Sequence, residues 1–206
     1  MPRRLLSRVQ RADAGVASCR TEPGARREIG AGPGGARRLI LGAILAGGQA
    51  SRFGSDKAAA LFAGRRLIDH VRAALVAHVS AVVVVGRAEG IGDCPRPGLG
   101  PLGGIAGAMR HASRHGFTDV LTMPCDTPFP PPSLLETLLR RSPSYCVDVP
   151  VIGLWPAALA DDLCGRLTRG DGDRSVRRWA RDIGALPIAA PAPIANINAP
   201  EDLLAL

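Results

Sequence analysis

Leu39-Ile40-Leu41-Gly42-Ala43-Ile44-Leu45 runs without a polar side chain and opens at once into Ala46-Gly47-Gly48-Gln49-Ala50-Ser51-Arg52-Phe53-Gly54-Ser55-Asp56-Lys57. A short continuous apolar run of this kind predicts a strand buried on both faces, as in a parallel sheet. The glycines that follow leave the backbone bare, so successive N–H groups can approach an anion. Lys57 ends the loop and is the single lysine of the chain, against 25 arginines. Arginine presents a wide planar fork, lysine a compact point charge with rotatable donors. Beside a phosphate and a metal ion the compact group fits better. The loop has neither the G-x-x-x-x-G-K-S/T nor the G-x-G-x-x-G spacing of two better-known phosphate loops. Gly-Gly after a strand is common in ordinary turns. Gly47-Gly48 with Arg52, Gly54, Asp56 and Lys57 close behind is a far more specific pattern.

Working outward, apolar positions at Leu67-Ile68, Val71, Ala74-Leu75 and Val79 recur at helical spacing, and 81–85 reads as a second buried strand ended by Gly86. A helix is predicted over 102–115, opening from a Gly-Pro-Leu-Gly-Gly turn, and a third strand over 119–123. Pro124 to Pro132 is a proline-punctuated loop. Helices are predicted over 133–141, 157–168 and 175–183, a short strand near 186–188, and a final helix from Pro200. Strand, loop and helix in alternation predict a Rossmann-like open α/β sheet, mostly parallel, with helices on both faces. Ligands of such sheets sit beyond the carboxyl ends of the strands. The loops 46–57, 93–104 and 124–128 should therefore share one crevice.

Three further stretches are candidates for chemistry. Asp126, in Met123-Pro124-Cys125-Asp126-Thr127-Pro128, follows a buried strand and is flanked by prolines. It suits a magnesium ligand, because magnesium takes one or two carboxylates and otherwise phosphate and water. It equally suits a turn cap. Asp93 precedes Pro97-Gly98-Leu99-Gly100-Pro101-Leu102-Gly103-Gly104, whose glycines would let a loop press on a flat ligand or simply connect two elements. In Asn196-Ile197-Asn198-Ala199-Pro200-Glu201-Asp202-Leu203, Asn198 reads as a helix N-cap with acids in the first turn. His70, His78, His111 and His115 fall in predicted helices, and no Ser/His/Asp set stands out.

The formal charge of +8 is unevenly spread. Residues 1–38 hold nine arginines and three acids, leaving only +2 for the remainder. A basic tail on a nearly neutral domain does not make a nucleic-acid-binding fold. Residues 1–37 lack sustained periodicity and are expected to be an unstructured extension, or the product of an upstream start codon; 38–206 is the expected domain. Cys19, Cys94, Cys125, Cys146 and Cys164 form no C-x-x-C pair, so free thiols and a cytoplasmic location are expected. No apolar run reaches the roughly 18 residues of a membrane helix.

Taken together, Leu45 to Lys57, Gly100-Pro101-Leu102-Gly103-Gly104-Ile105, Pro124 to Pro128, Gly170 to Trp179 and Asn196 to Leu203 resemble the bacterial molybdenum cofactor guanylyltransferases, of the nucleotidyltransferase superfamily. The resemblance spans 39–206. It implies transfer of GMP from GTP to the phosphate of molybdenum cofactor (molybdopterin), with Mg²⁺ as cofactor and molybdoenzyme apoproteins or other cofactor-biosynthesis proteins as partners. It implies that Leu45, Ala46, Gly47 and Gly48 meet the nucleotide by their backbone and that Lys57 and Arg52 act on its phosphates. Asp93, Gly100, Pro101 and Leu102 would lie by the nucleotide, Asp126 would hold magnesium, and Asn196 and Asn198 would line the molybdopterin side. Two segments depart from the pattern. Val85 to Asp93 is short where the family has a helix and a strand, near where guanine would sit, and 142–152 is short before Gly153-Leu154-Trp155. A sheet trimmed at one edge is expected. A CTP-dependent enzyme, another GTP-dependent transferase and a non-catalytic nucleotide or pterin carrier remain alternatives.

Overall fold

The computed structural model describes residues 38–47, 57–170, 173–197 and 202. The N-terminal extension, Gly48, Arg52, Asn198 and the helix expected from Pro200 lie outside these residues; of Lys57 only the backbone is described. In chain order the elements are β1 (Ile40–Leu45), a 3₁₀ turn (Lys57–Ala59), β2 (Leu61–Phe62), β3 (Arg65–Arg66), α1 (Leu67–Val76), β4 (Ala81–Val85), α2 (Gly100–Arg114), β5 (Asp119–Pro124), α3 (Pro132–Leu139), β6 (Ser144–Cys146), β7 (Gly153–Pro156), a second 3₁₀ turn (Ala157–Leu159), α4 (Ala160–Arg169), α5 (Val176–Asp182) and β8 (Leu186–Ile188).

Six strands form one sheet in the order β4-β1-β5-β7-β6-β8. β4, β1 and β5 are parallel, β7 runs antiparallel to both β5 and β6, and β8 is parallel to β6. This is the open, mostly parallel α/β sheet the alternation predicts. β1 is buried along its whole length. Leu41, Ala43 and Leu45 face a core shared with α2, α4 and α5, while Ile40 and Ile44 face the core beneath α1 and α3. The period of two thus serves two apolar layers at once. At the start of the sheet Arg38 donates to Asp119 Oδ2 (3.2 Å) and to the Leu139 carbonyl (2.9 Å), tying the entry of β1 to β5 and α3.

The short segment from Val85 to Asp93 follows β4, one of the two edge strands of the sheet. Beyond β4 the chain makes one parallel bridge, Val85 to Ile91, with Gly86 N on Ile91 O at 2.8 Å and Ile91 N on Val84 O at 2.9 Å. The next segment lies along a glycine face of α2. A Cβ at Gly107 would stand 2.2 Å from the Gly92 carbonyl oxygen, and one at Gly103 2.7 Å from Leu99 Cβ.

Three expectations change. Cys94 and Cys164 are joined in a disulfide, not free; neither Cys125 nor Cys146 is part of a disulfide. The pair lies 70 residues apart in sequence. Only the packing of α2 on α4, absent from any local cysteine spacing, brings it together. The β2–β3 hairpin, β6 and β7 were not expected from periodicity. His78 and His115 lie just past the ends of α1 and α2 rather than inside them.

Gly107→Ala should lower the unfolding free energy by about 1–3 kcal/mol, because a backbone oxygen cannot swing away as a side chain can. Urea unfolding measures this; an unchanged midpoint would show that the Gly92 segment is not held against the helix.

Candidate active site

The site is organised around the carboxyl end of β1. Leu45 pairs in register with Val85 on one side and Pro124 on the other. Past the strand, Ala46 N donates to Val85 O at 2.9 Å and Cys125 N donates to Leu45 O at 3.0 Å. Three loops therefore leave the sheet from one point. Gly86 has φ of +83°, and a Cβ there would lie 2.5 Å from Gly47 Cα. Glycine alone satisfies both the left-handed backbone and the contact. The backbones of the β1 and β4 loops touch, which holds Ala46 and Gly47 at the rim.

Asp93 enters from the segment before α2. A Cβ placed on Gly104 would lie 3.4 Å from Leu45 Cδ2, 3.6 Å from Val85 Cγ1 and 3.7 Å from Asp93 Oδ1. The carboxylate is therefore beside the ends of β1 and β4. Burial pushes its pKa above the usual carboxylate range, and the Gly98 and Leu99 amides that donate to it pull partly the other way. α2 begins one residue later, with Pro101 in its first turn and no side-chain cap. Gly100 and Pro101 are exposed at that helix start, whereas Leu102 is fully buried in the core. Any contact of Leu102 with a ligand must come from its backbone.

Asp126 stands two residues past the end of β5, half-buried. The turn there is closed by Thr127, whose amide (3.5 Å) and hydroxyl (3.3 Å) both donate to Pro124 O. The Asp126 carbonyl accepts Ile197 N at 2.9 Å, and Ile197 is buried. This one bond carries exposed Asn196 to the rim beside Asp126, a placement no local pattern announces. Leu45, Ala46, Gly47, Asp93, Asp126 and Asn196 are thus gathered at one end of the sheet. Gly86 does more than end β4, the role its sequence context predicts: its turn also supports Gly47. Among the described residues no group of three or more His, Cys, Asp or Glu side chains could hold a metal by itself. A magnesium ion shared with nucleotide phosphates needs fewer, one or two carboxylates, and the half-buried Asp126 at a strand end fits that demand.

An open α/β sheet with glycines and two carboxylates at the carboxyl end of its strands has them where such sheets bind their ligands. Residues 42–187 match the MobA-like NTP transferase domain. The molybdenum cofactor guanylyltransferase of Rhizobium meliloti is 37% identical over 190 residues, covering 78% of this chain and 87% of that protein. That of Sinorhizobium fredii is 34% identical with the same coverage. The fold is similar to molybdopterin-guanine dinucleotide biosynthesis protein A of Archaeoglobus fulgidus (TM-score 0.61, 23% identity, 80% of this chain and 95% of that one). It is also similar to 2-C-methyl-D-erythritol 4-phosphate cytidylyltransferase of Thermus thermophilus (TM-score 0.58, 15% identity, 79% and 95%). The chain belongs to the molybdenum cofactor guanylyltransferase family, and is a nucleotidyltransferase.

Because the folded carboxyl of Asp93 holds its proton more tightly than an unfolded one, its contribution to stability is full below the ordinary carboxylate pKa and is lost as pH rises through the folded value. Asp93→Asn removes that loss. Its melting temperature relative to the unmodified protein should therefore climb from the ordinary carboxylate pKa upward and level off above the folded value, while turnover falls. A difference that shrinks as pH rises would mean that Asp93 is stabilised, not penalised, as a carboxylate.

Proposed function

We infer that this chain transfers GMP from GTP to the phosphate of molybdenum cofactor, releasing pyrophosphate and forming the molybdopterin guanine dinucleotide cofactor. The observation that carries this reading is the convergence at Leu45. Its carbonyl holds the Asp126 loop, the next amide holds the β4 end, and the glycine loop leaves between them. The identity to guanylyltransferases along the chain supports guanine as the base.

The chemistry asks little of acid–base groups. An oxygen of the acceptor's phosphate monoester attacks the α-phosphorus of GTP. The bond from that phosphorus to the bridging oxygen breaks, and pyrophosphate leaves with the electron pair. The attacking phosphate is already an anion, so positioning and charge neutralisation can supply most of the acceleration. The backbone of Leu45, Ala46, Gly47 and Gly48 receives the nucleotide phosphates. Lys57 and Arg52 neutralise the leaving pyrophosphate. Asp93 with Gly100, Pro101 and the Leu102 backbone borders the nucleotide. Asp126 holds Mg²⁺, which when bound supplies further charge neutralisation. Asn196 and Asn198 border the pterin. Asp93 follows the short return from β4, beside the ends of β1 and β4, which supports its place by the nucleotide in this reading. Residues 38–206 are the catalytic unit in this reading, working in the cytoplasm and handing product to a molybdoenzyme apoprotein. No helix among the described residues is long and apolar enough to cross a membrane.

A nucleotide panel with magnesium and molybdopterin, following dinucleotide and pyrophosphate together, checks the assignment. GTP should react fastest. Preference for CTP would overturn the base, and silence with every nucleotide would favour a carrier. Within the active protein, Asp126→Ala should abolish magnesium-dependent turnover while the domain stays folded by circular dichroism. Lys57→Arg keeps the charge but not the compact shape. It should lower kcat roughly tenfold, about 1.4 kcal/mol of transition-state stabilisation; kcat equal to that of the unmodified protein would make the single lysine incidental.

A further inference from the structure

The chain holds few aromatic residues: four Phe, two Trp and one Tyr. Trp155, Trp179 and Tyr145 are spent in the core. Two phenylalanines are used differently. Phe62, from the β2–β3 hairpin, and Phe129, from the loop before α3, meet edge to face at 5.5 Å. His70, in the first turns of α1, touches both, at 5.8 Å from Phe62 and 5.2 Å from Phe129. Its Nε2 lies 3.0 Å from the Phe62 carbonyl. A carbonyl can only accept, so Nε2 carries the proton and donates. Phe129 is 41% exposed, so the cluster is not core.

The position of this cluster along the chain gives it meaning. Phe62 comes five residues after Lys57, across the 3₁₀ turn, and Leu67 N donates to Ala60 O at 2.9 Å to close the hairpin's base. Phe129 comes three residues after Asp126. Because α1 follows the hairpin and returns antiparallel to the strands, His70 stands near the same rim of the sheet as both loops. At these three rings the segment that follows Lys57 meets the segment that follows Asp126.

We propose that Phe62, His70 and Phe129 form an aromatic clasp that sets the position of Lys57 relative to Asp126 during nucleotidyl transfer. The three are positioning residues; none is assigned a contact with substrate. The proposal rests on the reading of Lys57 and Asp126 given above. Its physical basis is that two charged groups acting on one triphosphate must be held to a fraction of an ångström, and that small misplacements are costly in rate. Phe129 meets both other rings edge to face and Phe62 meets His70 at a tilt, a set that resists both sliding and separation, and the Nε2 bond restrains the ring of His70.

Phe129→Ala is the first test, since a half-exposed ring can be removed without opening the core. It should lower kcat about tenfold or more while the KM for GTP stays within about twofold and the Trp155–Trp179 fluorescence and melting temperature hold. Phe129→Tyr, which keeps the ring and sends its hydroxyl to water, should restore most of the rate. The second test places Phe129→Ala in a Lys57→Ala background, where the penalty should shrink because no ammonium remains to be positioned. Full turnover by Phe129→Ala, or an undiminished penalty in the Lys57→Ala background, overturns the clasp. Full turnover by Lys57→Ala alone overturns instead the reading of the site, and the clasp with it.

Discussion

Two hydrogen bonds at the end of one strand organise this molecule: Cys125 N to Leu45 O and Ala46 N to Val85 O. They continue the parallel ladder one step past the point where β1 stops being a strand. Peptide groups in a two-sided core must be paired, and β1 meets that demand on both edges while burying side chains on both faces. The loops that leave β1, β4 and β5 therefore start from fixed points a strand spacing apart, about 4.8 Å. Whatever a ligand finds at this rim is positioned by backbone pairing, not by long flexible side chains.

The same constraint explains the glycines. Where two loop backbones cross at Gly47 and Gly86, a side chain on either would part them. Where Gly92 and Asp93 lie on α2, the helix supplies bare surface at Gly103, Gly104 and Gly107. Close backbone packing half-buries Asp93, and that burial raises its pKa against the pull of the Gly98 and Leu99 amides. A nearby cation would lower that pKa again, because an opposite charge favours the ionised form of a carboxyl.

How much of this could be read from residues alone depends on whether a signal was local. β1, β4 and β5 are continuous apolar runs and read directly as strands. α1, α2 and α3 have apolar faces at helical spacing; α2 and α3 are legible within two residues, and α1 ends three residues before Val79, where the spacing stops. β6 and β7 were not, since Ser144-Tyr145-Cys146 and Gly153-Leu154-Trp155-Pro156 are too short to show a period and owe their strand geometry to β5 and β8. The β2–β3 hairpin turns at Ala63 and Gly64 with φ of 47° and 75°, but two-residue strands carry no pattern. The Cys94–Cys164 bond and the seat of Asn196 on the Asp126 carbonyl depend on tertiary packing, so no spacing rule could have found them. Asp93, Asp126 and the glycine loop were legible as candidates because strand ends concentrate function in this fold.

A reaction between a phosphate and a triphosphate sets an unusual requirement, in that both partners are anions and neither needs a proton removed. The repulsion between them is the barrier a protein can act on, and it acts by fixed charges and dipoles already in place before the substrates arrive. Preorganisation of that kind is expensive on loops, which carry conformational freedom of roughly 1–2 kcal/mol per residue. This fold limits that cost by rooting each loop in a ladder bond, pressing glycine on glycine where loops cross, and joining Asp126 to Ile197 through the main chain. The side chains that meet the charge are then few, while the backbone that holds them is most of the domain. On this view, substitutions at Gly86 or Gly107, which touch no substrate, act on the rim by the same physical route as substitutions at the carboxylates themselves: they change where charge stands, not whether it is present.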